Sequence, residues 1–272
     1  MVATPIGNLG DLSPRAREVL GSVAFILAED TRRTAKLLHA AGIATQLVAF
    51  FEHNEEKVTA DVVERLRHGD SVALVSDAGT PLLCDPGFRL VRACRREGLP
   101  VASVPGPSAV TAALSVAGLP PYPFTFLGFL PPKPKAREAF LARFASLDHT
   151  LVVFLSPHRL AAELADCARI LGENREAALL AELSKLHERC ETGSLGFLAG
   201  TAHLAKGEFT LVIGPPQKPL PEHVEPRQAK KLVDELQSQG LSLKDARTWA
   251  AKTFGVSRRR LYELLEAAKK EP

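Results

Sequence analysis

The feature that most constrains the fold is a regular alternation of short apolar segments with longer amphipathic ones. In the first 118 residues, four segments rich in Val, Ile, Leu and Phe are predicted to be buried strands, at 23–28, 46–50, 72–75 and 101–104. Each is followed by a segment whose apolar residues recur at helical spacing and leave one polar face; these predicted helices are at 31–41, 54–68, 87–97 and 108–117. This βαβα order predicts an α/β fold with a largely parallel sheet covered by helices.

Two proline-rich stretches divide the rest of the chain. Between them, helices are predicted at 136–146 and 159–171, and strands at 150–155, 177–183 and 209–213. Beyond them no strand is predicted, and three helices are expected at 227–239, 243–253 and 258–268. The expected organisation is therefore an N-terminal α/β unit (1–118), a connection (119–135), a C-terminal α/β unit (136–214), a linker (215–226) and a helical tail (227–272).

Charge is distributed unevenly along the 272 residues. The net charge is +3, and residues 217–272 alone carry +4, which is typical of a segment that contacts an anionic partner or of a solvated helical face. The four cysteines form no C-x-x-C motif and the eight histidines no H-x-x-x-H pair, so we predict no metal and a reducing cytoplasm. Residues 99–132 carry no charge, but the prolines at 105, 107, 120, 121 and 123 cut them into pieces too short to cross a membrane as a helix.

Several common nucleotide and catalytic motifs are missing. No two glycines are separated by a single residue, which excludes G-x-G-x-x-G dinucleotide loops. The phosphate loop G-x-x-x-x-G-K-[ST] and the nucleophile elbow G-x-S-x-G are also absent. The common dehydrogenases, P-loop NTPases and α/β-hydrolases are therefore excluded.

Two unusual loops follow neighbouring predicted strands. SDAGTPLLCDPG (76–87) follows the strand that ends at Val75, and VPGPSA (104–109) opens the next helix. Ligands of open α/β sheets bind just beyond the carboxyl ends of the strands, and Gly79 permits a positive φ or a close backbone approach. An ordinary polar loop and a Ser108 helix cap are the structural alternatives. Two such loops side by side favour a shared cleft.

The sequence also resembles a known family. VATPIGNLGDLSPRA, AEDTRRT, VSDAGTPLLCDPG, VPGPSA, FLPPK and GEFTLVIG resemble, in this order and over residues 2–214, the tetrapyrrole-methylase-like (class III) methyltransferases. The tail resembles the C-terminal helical domain of a subfamily that methylates the 2′-hydroxyl of a cytidine in 16S rRNA. The chain begins two residues before the ATPIG turn, so the first strand is expected to be short.

The resemblance implies that S-adenosyl-L-methionine binds in the cleft between the two α/β units. Thr80 stands where the family's G-D-P-type loop has Asp, which weakens any role that needs a charge there. By resemblance, the residues that bind the cofactor are Pro5, Gly7, Asp77, Ala78, Gly79, Thr80, Pro81, Leu83, Ser108, Ala109, Leu155, Phe209 and Thr210.

Methyl transfer to a hydroxyl group also needs a proton acceptor. The candidates at strand ends are Glu29, Asp30, Glu52 and His53, with Glu182 and Lys185 in reach from the second unit. Helix capping is the alternative role for Asp30, and surface exposure that for His53. The sequence does not single out one base.

Clusters of basic residues predict contacts with RNA, and a solvated helix face or a charged linker is the structural alternative for those in the α/β units. The candidates are Arg32, Arg33, Lys133, Lys135, Arg137, Arg258, Arg259 and Arg260. Residues 242–268 have a helix-turn-helix pattern, with Ser242 and Asp245 at capping-box spacing. The residues predicted to form its buried seam are Ala246, Trp249, Ala250, Val256, Leu261 and Leu264.

The resemblance implies 16S rRNA in the 30S subunit as the substrate and a homodimer as the assembly. Two alternatives stay open at this point. One is a methyltransferase that modifies a tetrapyrrole carbon, which has no need of a basic helical tail. The other is a nucleic-acid-binding regulator whose α/β body senses a metabolite.

Overall fold

The first sheet consists of three short parallel strands. In the computed structural model, which describes residues 1–201, 207–216 and 224–268, the strand order is β2-β1-β3. The strands are β1 (Phe25–Ala28), β2 (Leu47–Ala49) and β3 (Val72–Val75). The helices of this half are α1 (Pro14–Ser22), α2 (Thr31–Ala41), α3 (Glu55–Arg67), α4 (Phe88–Arg96) and α5 (Ala109–Val116). The predicted parallel α/β order is confirmed here.

The beginning of the chain lies alongside β3. The Val2 amide donates to the Leu74 carbonyl at 2.9 Å, and the Val104 amide donates to the Met1 carbonyl at 2.8 Å. Residues 101–104 were predicted to be a strand, but the structure has only a single bridge there, between Val2 and Val104.

The second sheet is mixed. Its order is β4-β5-β8-β6-β7, and only the pair β4–β5 is parallel. The strands are β4 (Phe124–Phe129), β5 (Thr150–Leu155), β6 (Glu176–Ala181), β7 (Arg189–Ser194) and β8 (Phe209–Ile213). The helices are α6 (Pro134–Ala142), α7 (Leu160–Leu171) and α8 (Leu195–Thr201). The parallel sheet was predicted from residues 1–118, and this second sheet differs from the first in being mostly antiparallel.

Four elements were not predicted. Strand β4 lies inside the stretch interpreted as a connection, where prolines flank an edge strand of aromatic residues. Strand β7 is polar and mostly exposed along its length, so it lacks the apolar alternation by which strands are recognised. The remaining two are helices α1 and α8.

The two faces of the second sheet belong to different core clusters. Leu151, Val153 and Leu155 point to the side covered by α7 and α8. Val152 points to the other side, where it packs with Ile6 and with Val110 and Ala113 of α5. Helix α5 therefore belongs to the first half of the chain by sequence and to the second sheet by packing.

The tail forms a compact unit of its own, Gln217–Pro272. Its helices are α9 (Pro226–Ser238), α10 (Leu243–Thr253) and α11 (Arg258–Ala268). The Asp245 amide donates to Ser242 Oγ at 3.2 Å, and that hydroxyl donates to Asp245 Oδ2 at 2.6 Å, as the capping-box spacing predicts. Trp249 was predicted to be in the buried seam, but it is 55% exposed, and the seam consists of smaller side chains such as Ala246 and Ala250. Along the described ranges, no helix is both long and apolar enough to cross a membrane.

Candidate active site

A cavity of about 320 Å³ lies where the carboxyl end of β3 approaches the carboxyl end of β5. Both predicted loops contribute to it, as does the first turn of the chain through Ile6. The walls include Leu83, Phe129, Phe154, Leu155 and Phe209, and the charged groups on its lining are Arg33, Asp77, Asp85 and Glu208. The volume is in the range of small-molecule sites, and mostly apolar walls with a few polar groups are typical of them.

Gly79 brings bare backbone to this cavity. It has a φ of +82°, and its amide and carbonyl exchange hydrogen bonds with Thr4 at 3.0 and 2.9 Å. A Cβ atom at this position would lie 3.2 Å from Ile6 Cγ2. The positive φ and the tight contact both require glycine.

The second half of the same loop has a strained backbone. Leu82 and Cys84 have φ values of +76° and +73°, and the Cys84 amide donates to the Leu82 carbonyl at 3.1 Å. The buried carboxylate of Glu55, at the start of α3, accepts hydrogen bonds from the amides of Gly87 (3.1 Å) and Arg89 (3.0 Å). Left-handed non-glycine residues persist only where surrounding contacts hold them, and Glu55 supplies such contacts.

Three carboxylates lie close together beside the cavity. Asp77 accepts a hydrogen bond from the Asp30 amide at 2.9 Å and lies 3.4 Å from Nη1 of Arg33. Burial, with smaller contributions from the charges of Glu29 and Asp77, raises the pKa of Asp85 to about 6 against the opposing effect of a hydrogen bond with Ser76. Burial and the charge of Asp77 also raise the pKa of Glu29. Partial burial and mutual repulsion therefore make Glu29 and Asp85 stronger proton acceptors than ordinary carboxylates.

The opposite wall is held by a buried glutamate. The side chain of Glu163 has no solvent exposure, and it accepts hydrogen bonds from the Ser156 amide (2.9 Å) and from Nε of Arg159 (2.8 Å). Ser156 lies between Leu155 and Pro157, both of which line the cavity. Glu163 thus fixes the turn that follows β5.

Most of the residues expected to bind the cofactor lie together on this cavity. The ten that line it are Asp77, Ala78, Gly79, Thr80, Leu83, Ser108, Ala109, Leu155, Phe209 and Thr210. Pro5, Gly7 and Pro81 do not line it, although a Cβ atom on Gly7 would collide with the side chain of Lys185. Thr80 Oγ1 donates to the Pro107 carbonyl at 3.1 Å, so the residue in place of Asp joins the two loops without a charge.

The four candidate bases lie outside the cavity lining. Asp30 caps α2 through the Arg32 amide (2.9 Å), and its hydrogen bonds with Arg32 lower its pKa to about 2, so it is a weak proton acceptor. Glu29 is half-buried nearby, whereas Glu52 and His53 lie in an exposed turn before α3. From the second half, Lys185 Nζ lies 2.9 Å from Glu182 and 3.3 Å from Glu208, a residue of the cavity wall.

The sequence reasoning missed Asp85 and Glu208 as charged members of the cavity wall, together with Ile6, Phe129, Phe154 and Pro157. For Asp85 a signal was present, because it lies in the same unusual loop as Gly79. For the aromatic residues there was none, because Phe129 belongs to the unpredicted strand β4.

The basic residues predicted to contact RNA have different environments. Arg33 lines the cavity, Arg32 is exposed and paired with Asp30, and Lys133 and Lys135 are exposed at the start of α6. The assignment of Arg137 is wrong, because this residue is 2% exposed and its guanidinium binds Asp166 at 2.7 Å and two proline carbonyls at 3.2 Å. A buried ion pair of this kind is not accessible to RNA.

In the tail, the three consecutive arginines of α11 differ from one another. Arg259 and Arg260 both pair with Glu263, at 3.5 and 3.1 Å. Arg258 instead lines a groove between α10 and α11 together with Lys244, Arg247 and Tyr262. The guanidinium of Arg247 lies 5.9 Å from the centre of the Tyr262 ring, and its Nε has no hydrogen-bond partner.

Comparison with known proteins reveals relatives over nearly the full length. The ribosomal RNA small subunit methyltransferase I of Xylella fastidiosa is 46% identical over 267 residues, which cover 96% of each chain. The protein of that name from Pseudomonas aeruginosa is 42% identical over 267 residues, covering 97% of this chain and 94% of the relative.

Solved structures support the same fold. A uroporphyrin-III C-methyl transferase from Thermus thermophilus, complexed with S-adenyl homocysteine, superposes with a TM-score of 0.55 at 19% identity and covers 78% of this chain and 95% of that one. The profile of the family described as Tetrapyrrole (Corrin/Porphyrin) Methylases matches residues 1–199. With nearly three quarters of its length inside that profile and near-full-length relatives above 40% identity, the chain belongs to the tetrapyrrole methylase family.

Proposed function

We propose that this chain is an S-adenosylmethionine-dependent methyltransferase that acts on the ribosomal RNA of the small subunit, at the 2′-hydroxyl of a cytidine. The observation that carries the proposal is the cavity between the two loops and β5. Two relatives that match 96–97% of the chain are named for small-subunit rRNA methylation.

The residues of the cavity fit S-adenosylmethionine. The apolar side chains of Leu83, Phe129, Leu155 and Phe209 provide walls for an adenine ring, and the bare backbone at Gly79 permits close approach. Asp77, Asp85 and Glu208 place negative charge around a ligand that carries a sulfonium. When bound, the cofactor supplies an electrophilic methyl carbon, and the protein has to orient the acceptor and receive its proton.

For the tail, we infer that the groove between α10 and α11 contacts the RNA. Lys244, Arg247 and Arg258 line it, no carboxylate is among its lining residues, and Tyr262 offers a ring face for a base. Arg259 and Arg260 contribute less, because Glu263 already neutralises part of their charge. We therefore assign the RNA contact of the tail to the groove and not to the run of three arginines as a whole.

Methylation of a tetrapyrrole is the weaker alternative. The solved C-methyltransferase covers 78% of this chain, whereas the Xylella fastidiosa and Pseudomonas aeruginosa relatives named for rRNA methylation cover 96–97% of it and so include tail residues. A small macrocycle gives no reason for a cationic groove in a separate unit.

We further propose a homodimer that acts in the cytoplasm, where its substrate assembles. Phe51 and Phe88 support an apolar interface, because both are exposed and both lie next to the Glu55 anchor. Light scattering on the purified protein measures the mass directly, and a monomer at micromolar concentration contradicts this part of the proposal.

The activity is tested with methyl-labelled cofactor. We expect label to enter 30S subunits that lack the modification, and mass mapping should place it on the ribose of a cytidine. Free cytidine and uroporphyrinogen III should remain unlabelled. Labelling of uroporphyrinogen III instead of RNA would favour the alternative, and absence of any transfer by a folded protein that binds the cofactor would contradict the activity.

Two double variants that remove the same amount of charge test whether the groove contacts RNA. Lys244→Gln with Arg258→Gln should weaken binding of a 16S rRNA fragment and lower the slope of log affinity against log salt by about 1 to 2, since each phosphate contact contributes about 0.7. Arg259→Gln with Arg260→Gln removes the same charge from residues that already have a carboxylate partner, and serves as the control. Equal losses in both pairs would contradict the groove.

A further inference from the structure

We propose that Asp85 accepts the proton of the target hydroxyl group during methyl transfer. This inference rests on the proposed function of the cavity and names a residue for a step that the family assignment leaves open.

The position of Asp85 is the first argument. It lines the cavity from the loop that also presents Gly79 and Leu83. The backbone leading to it has left-handed conformations at Leu82 and Cys84, and the buried Glu55 holds the loop just beyond it through the Gly87 amide. The fold thus maintains a strained loop whose end places a carboxylate at the cavity wall.

The other carboxylates of the cavity wall are already engaged. Asp77 accepts from the Asp30 amide and lies against Arg33, and Glu208 lies 3.3 Å from the ammonium of Lys185. Asp85 has the hydroxyl of Ser76 as its hydrogen-bonding neighbour, and within the described residues no cation forms an ion pair with it. Asp85 is therefore the carboxylate of the wall with capacity left for a substrate proton.

The chemistry balances with this assignment. The target oxygen forms a bond with the methyl carbon of the cofactor, and the carbon–sulfur bond breaks with its electron pair going to sulfur. The proton of the hydroxyl passes to a carboxylate oxygen of Asp85, which ends neutral. The products are the methyl ether, the neutral thioether and a protonated Asp85, and no further reactant is needed.

The surroundings of Asp85 favour this role. Glu29 faces it from the end of β1, Asp77 from the same loop and Arg33 from α2, while Cys84 precedes it in sequence. Burial and two negative neighbours raise the pKa of Asp85 to about 6. A carboxylate with this pKa is ionised at neutral pH and a stronger proton acceptor than an ordinary aspartate.

The first test is Asp85→Asn in the full-length protein. We expect kcat on 30S subunits to fall about 10²- to 10⁴-fold, the range for loss of a general base, with an unchanged KM for RNA. Cofactor affinity, measured by calorimetry, should fall only modestly, because Asp77 and Glu208 still place negative charge around the sulfonium and the amide keeps the shape of the carboxylate. A variant that retains more than about a third of wild-type kcat overturns the proposal.

The second test separates proton acceptance from a structural role. Wild-type kcat/KM, which reports the free enzyme, should rise with pH through a midpoint near 6 and then level off. Glu29→Gln removes a like charge next to Asp85, so it should move this midpoint to lower pH. A titration of the Asp85 carboxyl carbon by NMR, without cofactor or RNA, should show the same shift. A kinetic midpoint that does not move while the NMR titration does would overturn the assignment.

The outcomes distinguish this inference from the proposed function. If the wild-type protein transfers no methyl group to 30S subunits, the proposed function fails. If the wild-type protein is active and Asp85→Asn retains more than about a third of its kcat, only the role of Asp85 fails.

Discussion

Replacing Asp85 with Asn should make the α/β part of the chain more stable at neutral and alkaline pH. The folded protein raises the pKa of Asp85 from the ordinary value of 3.8 to about 6, mainly through burial. A group with a raised pKa contributes stability that is fully present below its unfolded pKa and is lost as the pH rises through its folded pKa. Above pH 6 the folded protein therefore contains an ionised carboxylate in an unfavourable place, and Asn removes that cost.

The magnitude follows from the shift. Roughly two pH units at about 1.4 kcal/mol each set an upper limit of about 3 kcal/mol at pH 8, and the same relation leaves about 1 kcal/mol at pH 4.5. Asp85 is partly exposed at the cavity wall, so solvent screens the effect. We expect a gain of about 1 to 2 kcal/mol in the free energy of unfolding at pH 8 and, after the same screening, about 0.3 to 0.7 kcal/mol at pH 4.5.

Urea denaturation followed by far-ultraviolet circular dichroism at the two pH values measures this difference. The single tryptophan, Trp249, lies in the tail, so its fluorescence follows that unit separately and should not change. Asp77→Asn is the matched control, and the opposite sign is expected for it, because Asp77 accepts the Asp30 amide and pairs with Arg33. An Asp85→Asn variant that is less stable at pH 8, or equally shifted at both pH values, would refute the reasoning.

Three further predictions concern the cavity walls and the tail. Glu163→Ala should lower the free energy of unfolding by about 2 to 4 kcal/mol, since it leaves the Ser156 amide without its buried acceptor. The control Glu138→Ala breaks an exposed ion pair and should lower the free energy of unfolding by less than about 0.5 kcal/mol. Equal denaturation midpoints for the two variants would contradict this prediction. Gly79→Val should abolish cofactor binding in calorimetry, because a branched side chain has no space beside Ile6 and the φ of residue 79 is positive. Wild-type cofactor affinity in a folded Gly79→Val variant would reject the placement of the cofactor beside Gly79. Removal of residues 217–272 should leave a folded α/β unit that binds cofactor but has lower affinity for rRNA, and an unfolded product would show that the tail is needed for stability.

The elements that could be predicted from the sequence are those whose local pattern agrees with their burial. Helix α2 was predicted with both of its boundaries, since Asp30 caps its start and Gly42, in the left-handed conformation, ends it. Strand β3 is a short apolar run between turn residues and is buried over most of its length. In both cases local propensity and tertiary environment point to the same structure.

The remaining features depend on contacts that no local pattern contains. Arg137 lies in a basic, proline-rich stretch that indicates an exposed surface, yet its partner Asp166 comes from a helix 29 residues away. The pKa of Asp85 depends on Glu29, which is brought beside it when β1 pairs with β3. Burial and long-range pairing decide such properties, and neither can be read from residue spacing.

Helix α5 belongs to the first half of the chain by sequence and packs on the second sheet, and this has a consequence for how the cofactor enters the cavity. Because Val110 and Ala113 pack into the second sheet beside Val152, the two halves around the cavity share one continuous layer of side chains. A hinge that opened the halves would expose this layer to water, at about 25 cal/mol for each square ångström. The site is therefore preorganised. Association should be fast and single-exponential, and little of the binding free energy should be spent on ordering the protein.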